Sequence, residues 1–112
     1  MFATIIREEN ERVISCIVKR DGRQLAFERK KIADAIAKAF QATRTRAEAS
    51  YVLDLARQAE LDLLAAGLTQ PTVEQIQDAV EKILMRNGHI RVAKAYILYR
   101  AERTRAREMN TR

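Results

Sequence analysis

Val18-Lys19-Arg20-Asp21-Gly22-Arg23 places cations on both sides of an Asp-Gly pair, and Lys31-Ile32 follows a short distance on. Asp-Gly is a strong hairpin-turn signal, because glycine takes a positive φ without steric cost. A hairpin would put Lys19 and Arg20 at its rim, just before the turn. A helix starting near Glu28 would hold Lys31 in its first turn, close to that hairpin. Cations gathered at a helix N-terminus, with its unpaired N–H groups, suit a polyphosphate. Lysine meets phosphate as a point charge and arginine as a planar fork. Val18 and Ile32 would supply apolar walls beside it. The same residues also fit a hairpin tip that simply carries solvated charge, and spacing alone does not choose between the two.

The elements that would position these residues are legible along the chain. Val13–Lys19 is rich in β-branched residues and reads as a strand, with Gln24–Phe27 as its return. A two-stranded hairpin is marginal alone, so it must lie on something. Ile32, Ala35, Ile36, Ala39 and Phe40 recur on one helix face. Thr45-Arg46-Ala47-Glu48 has the spacing of a capping box, opening a second helix with Val52, Leu55, Ala56, Ala59 and Leu63 inward. Gly67 suits its end, and residues 68–71 read as a linker. Thr72-Val73-Glu74-Gln75 is another capping box, starting a third helix that buries Ile76, Val80, Ile83 and Leu84 and stops at Asn87-Gly88. A fourth begins near Arg91, with Val92, Ala95, Tyr96, Leu98 and Tyr99 as its apolar residues; beyond Arg100 it is polar and expected to fray. The order, a hairpin and then four helices, predicts a small α+β domain.

A length of 112 residues fits one domain, and one cysteine makes neither an internal disulfide nor a zinc site. No apolar run is long enough for a membrane helix, and the first residues do not read as a secretory signal. A reducing cytoplasm is the expected location, with no membrane partner. Residues 1–85 are neutral, with 13 basic and 13 acidic side chains; residues 86–112 hold 8 basic against 2 acidic, so the whole +6 lies there. There is no G-x-x-x-x-G-K-[ST] loop and no evident acid–base pair, so no catalytic residue and no enzymatic turnover are expected.

V-K-R-D-G-R, F-x-x-x-K-I (Phe27 to Ile32), P-T-V-E-Q-I-Q (Pro71 to Gln77) and V-A-K-A-Y-I-L-Y-R (Val92 to Arg100) together resemble the ATP-cone domain. That domain is found at the N-terminus of ribonucleotide reductase large subunits and in the repressor of reductase genes. The resemblance implies a four-helix bundle capped by a small β-hairpin or three-stranded sheet, its third strand near Leu68 to Gln70. It implies an allosteric module for ATP or dATP, with Mg2+ accompanying the phosphates and no metal site of its own. Its partners would be a reductase subunit or domain, with nucleotide-dependent self-association as an output. Lys19 and Arg20 match the family's phosphate-holding pair and Lys31 the helix lysine that reaches phosphates or ribose. Val18 and Ile32 match residues near the adenine, and Ile76 and Gln77 the positions that close over the nucleotide. Leu25 stands where some members have glutamate, and Gln77 where some have histidine. The domain would span residues 13–103, between an extension (1–12) and a basic tail (104–112).

Other residues have plainer readings. Cys16 reads as a buried strand residue and His89 as a turn cap. Tyr96 and Tyr99 read as packing, and Arg100, Arg103 and Arg107 as a solvated stripe. A competing function is nucleic-acid binding, since the Arg86–Ile90 turn between two helices superficially fits a helix-turn-helix. Against it, the fourth helix is apolar at Val92, Ala95, Tyr96 and Tyr99, where a recognition helix presents polar readers. Direct DNA contact is therefore not the expected role.

Overall fold

The computed structural model describes residues 13–110, with side chains through Ala106; the expected extension at 1–12 and the side chain of Arg107 lie outside the described residues. Two short strands, β1 (Ile17–Val18) and β2 (Gln24–Leu25), pair antiparallel with Ile17 opposite Leu25 and Val18 opposite Gln24. The turn between them closes through Gly22 N–H to the Lys19 carbonyl (2.9 Å) and Lys19 N–H to the Arg23 carbonyl (2.8 Å), with Gly22 at φ +89°. The strands are shorter than the β-branched run suggested.

The expected third strand is not formed. The segment from Thr69 does run beside β1, accepting from Ser15 N–H at Thr69 (2.7 Å) and from Val18 N–H at Pro71 (2.9 Å). Among the described residues one bridge results there, Val18 with Thr72, in parallel. Pro71 has no N–H to return, so the ladder cannot propagate through it.

Four helices follow: α1 (Arg29–Ala42), α2 (Ala49–Ala65), α3 (Val73–Arg86) and α4 (Ile90–Asn110). They pack as a closed ring, α1 on α2, α2 on α3, α3 on α4, and α4 back on α1. Ile36, Leu55, Val80, Ile83, Leu84 and Ala93 are fully buried at its centre. Ile14 joins this core from below the hairpin, with Ile17 and Phe27 packed against it, which is how so small a sheet is held.

Helix ends explain both a success and a miss. At α3 the capping box is complete: Thr72 Oγ1 accepts from Gln75 N–H (3.1 Å), and Gln75 Oε1 accepts from Thr72 N–H (2.9 Å). At α2 the box expected at Thr45 is absent, and the helix starts at Ala49 with no side-chain cap. Thr45 instead belongs to the end of α1, where its N–H reaches the Phe40 carbonyl (3.0 Å) while Arg44 N–H reaches Gln41 (3.0 Å). These are the two bonds of a Schellman closure. The closures of α2 and α3 put Gly67 and Gly88 at the left-handed position; α1 puts Arg44 there, at φ +54°.

Polar contacts tie the ring together. Arg29 Nε donates to Glu60 Oε1 (2.5 Å) across α1 and α2, with the arginine side chain 38% and the glutamate 11% exposed. Arg100 was expected in a solvated stripe, but it is half-buried and bonded to Asp78 (3.1 Å) and Glu81 of α3. Burial works against its charge, yet the two carboxylates outweigh it and raise its pKa above the ordinary arginine value. Tyr96 is buried beside it, and that burial pushes its phenol pKa far up. Beyond Arg100 the chain stays helical to Asn110, and Ala101, Glu102, Arg103, Arg105 and Ala106 are exposed.

Candidate functional site

The hairpin rim lies against the start of α3. The Val18–Thr72 bridge joins β1 to the cap of that helix, and Arg20 Nη2 comes within 3.7 Å of Glu74 Oε1 in its first turn. Val18 and Lys19 are half-buried, whereas Arg20 is exposed. Gln77, one turn further on, is half-buried and Ile76 beside it is buried. The capping box satisfies Gln75 N–H, and the parallel bridge turns Val73 N–H toward the Val18 carbonyl, which leaves the Glu74 amide as the first-turn donor facing outward. Arg20, the Glu74 amide and half-buried Val18 thus meet at the start of α3, with Lys19 next to them along the strand. Such a set accepts a phosphate group beside an apolar ring.

Lys31 and Ile32 sit in the first turn of α1, as expected, and Lys31 pairs there with a carboxylate of its own helix start. Its ammonium pairs with Glu28 (2.9 Å), and the side chain is 78% exposed. Ile32 and Ile76 belong to the same buried core, at 8% and 6% exposure. Arg23 turns back on its own loop: its N–H and Nε reach the Asp21 carboxylate (3.0 and 2.7 Å). The Arg23 amide, and then its guanidinium, hold that carboxyl below the usual aspartate range.

Sequence reasoning missed the two carboxylates that hold the cations, Glu28 and Glu74. The first was readable as an i,i+3 pair with Lys31. The second was not, because Arg20 and Glu74 meet only through the tertiary fold. Elsewhere, Cys16 is half-buried rather than buried. His89 does cap its turn, its N–H reaching the Leu84 carbonyl (2.8 Å), and its Nε2 also meets the Tyr51 hydroxyl (2.6 Å). Its ring stands edge-on to Phe40 at 5.1 Å. Among the described residues no group of three or more His, Cys, Asp or Glu could hold a metal ion, and no helix is long and apolar enough to cross a membrane.

Comparison with known proteins gives these features a context. Residues 15–105 match the family model of the ATP cone domain. The chain is 42% identical over 105 residues to a ribonucleoside-diphosphate reductase subunit alpha of Chlamydia pneumoniae, covering 88% of this chain and 10% of that protein. It is 38% identical to a vitamin B12-dependent ribonucleoside-diphosphate reductase of Thermoplasma acidophilum, covering 86% and 13%. It is 35% identical to an anaerobic ribonucleoside-triphosphate reductase of Haemophilus influenzae, covering 82% and 13%. The chain therefore spans only 10–13% of the length of these relatives. With the hairpin, the four-helix ring and a match across most of the described residues, the chain belongs to the ATP cone domain family.

Proposed function

We propose that the chain is a regulatory module that binds ATP or dATP and works in association with a ribonucleotide reductase. The observation that supports this reading is the seating of the hairpin rim on α3, with Val18 bridged to Thr72 and Arg20 beside Glu74. Lys19, Arg20 and the Glu74 amide would take the phosphates. Val18 and Gln77 would border the base, and Lys31 would be recruited from Glu28. Mg2+ would ride on the phosphates, since the residues here offer it no cage. The module binds without turnover, and its output is a change in how its surfaces associate with a reductase subunit, a neighbouring domain or another copy.

Calorimetric titration with ATP, dATP and GTP, alongside a phosphate-release assay, tests this. Saturable binding of the adenine nucleotides with no release above blank is expected. No heat and no thermal shift at millimolar nucleotide would overturn it. The nucleic-acid reading is less well served, because Val92, Ala93 and Tyr96 of α4 are spent on the core.

A further inference from the structure

Helix α4 is apolar on two faces. Val92, Ala93 and Tyr96 face the ring and are buried. On the opposite side Ile90, Lys94, Ile97, Leu98, Ala101 and Arg105 recur at helical spacing, and all are exposed. Leu98, which its apolar character would place in the core, is 67% exposed, and Ile90 56%. A helix apolar on both sides is normally covered on both. Helix α1 has no such second face: its exposed positions are Lys30, Lys31, Asp34, Lys38 and Gln41, with Ala42.

The charge around the stripe says what would cover it. Arg91, Lys94 and Arg105 flank the apolar positions, and none has an ion-pair partner among the described residues. Glu102 is the one acid of this face among the described residues. Counted over the described residues the face carries a net +2, so two copies packed through these stripes would set like charge against like, which Coulomb repulsion disfavours. A membrane surface would want a broader apolar face with aromatic anchors. An acidic amphipathic helix satisfies both needs, leucine-type side chains along the stripe and carboxylates beside the cations.

We propose that the outer stripe of α4 docks an acidic amphipathic helix of a partner polypeptide. The test uses a labelled synthetic peptide of about 18 residues, long enough to form a helix on the surface, with leucines at i, i+3, i+4 and i+7 and glutamates beside them. A twin carries lysine for every glutamate. Fluorescence anisotropy should show the acidic peptide binding about tenfold or more tightly than its twin, and more weakly at high salt. Leu98→Asp should weaken that binding about tenfold. The charge reversal Lys94→Glu with Arg105→Glu should invert the preference between the peptides. Circular dichroism melts confirm that the variants fold, and Leu98→Ala provides a milder second variant. Equal affinity for both peptides, or binding that neither Leu98 variant changes, would overturn the proposal. So would a Leu98-dependent dimer in sedimentation, or Leu98-dependent pelleting with phosphatidylserine vesicles. None of these readouts needs nucleotide, so the outcome is independent of the adenine site.

Discussion

The Arg29–Glu60 pair should fail asymmetrically. Its two ends differ in exposure, 38% for the arginine side chain against 11% for the glutamate. Arg29→Met leaves the Glu60 carboxylate close to buried with its partner gone. Breaking a fully buried pair costs about 3–5 kcal/mol, and the residual exposure here lowers that to about 2–4. Glu60→Gln keeps an oxygen that accepts from Arg29 Nε, and the arginine can turn toward water. The cost should then be about 0.5–1.5 kcal/mol, that of a weakened charge-assisted hydrogen bond. The same contact raises the Arg29 pKa above its ordinary value, so the arginine is charged at any working pH and the asymmetry cannot come from its titration. Urea unfolding followed by far-ultraviolet circular dichroism at neutral pH measures both, compared at constant m. Equal costs, or a larger loss for Glu60→Gln, would refute the argument that exposure decides which partner can be spared.

Three other outcomes are expected. Lys31→Ala should weaken ATP binding by about 1–2.5 kcal/mol, a charge-assisted contact less the Glu28 pair it gives up, while Arg103→Ala changes it far less; calorimetry separates them. Arg44→Gly should raise stability by about 0.5–1 kcal/mol in the same urea assay, because glycine relieves the left-handed position at some entropic cost. The buried Tyr96 phenol holds its proton more tightly folded than unfolded, so its stabilising contribution is complete below about pH 10 and is lost as pH rises beyond it. Tyr96→Phe should therefore flatten the alkaline fall in melting temperature above that pH, and an unchanged fall would count against burial as its cause.

Local chemistry was readable wherever one short segment decides the outcome. Thr72 to Gln75 closes its own capping box, and Asp21-Gly22 makes its own turn, so both were visible without the fold. Thr45 shows the limit. Its spacing to Glu48 fits a helix start, but its amide was already committed to the end of α1, and two local signals competed for one residue. Pairings across the ring were beyond reach for a different reason. Arg20 with Glu74, Arg29 with Glu60 and Arg100 with Asp78 and Glu81 each depend on which element lies beside which. Arg100 and Leu98 changed places for that reason, the cation drawn inward by carboxylates on α3 and the apolar residue left outside.

Arg100 also sets a mechanical boundary. It is bonded to Asp78, the residue after Gln77, and the ten positions of α4 beyond it extend about 15 Å at the helical rise. An arm of that length pivoting by about 10° carries its tip some 2.5 Å, an interatomic step large enough to make or break a packed contact. A shift of α3 too small to notice at the hairpin would be geared up at the far end of the helix, and the gear ratio is fixed by where the guanidinium grips. Moving the grip one turn along α4, with Arg100→Ala and Thr104→Arg, would shorten the arm by about two-fifths and reduce the stroke in proportion.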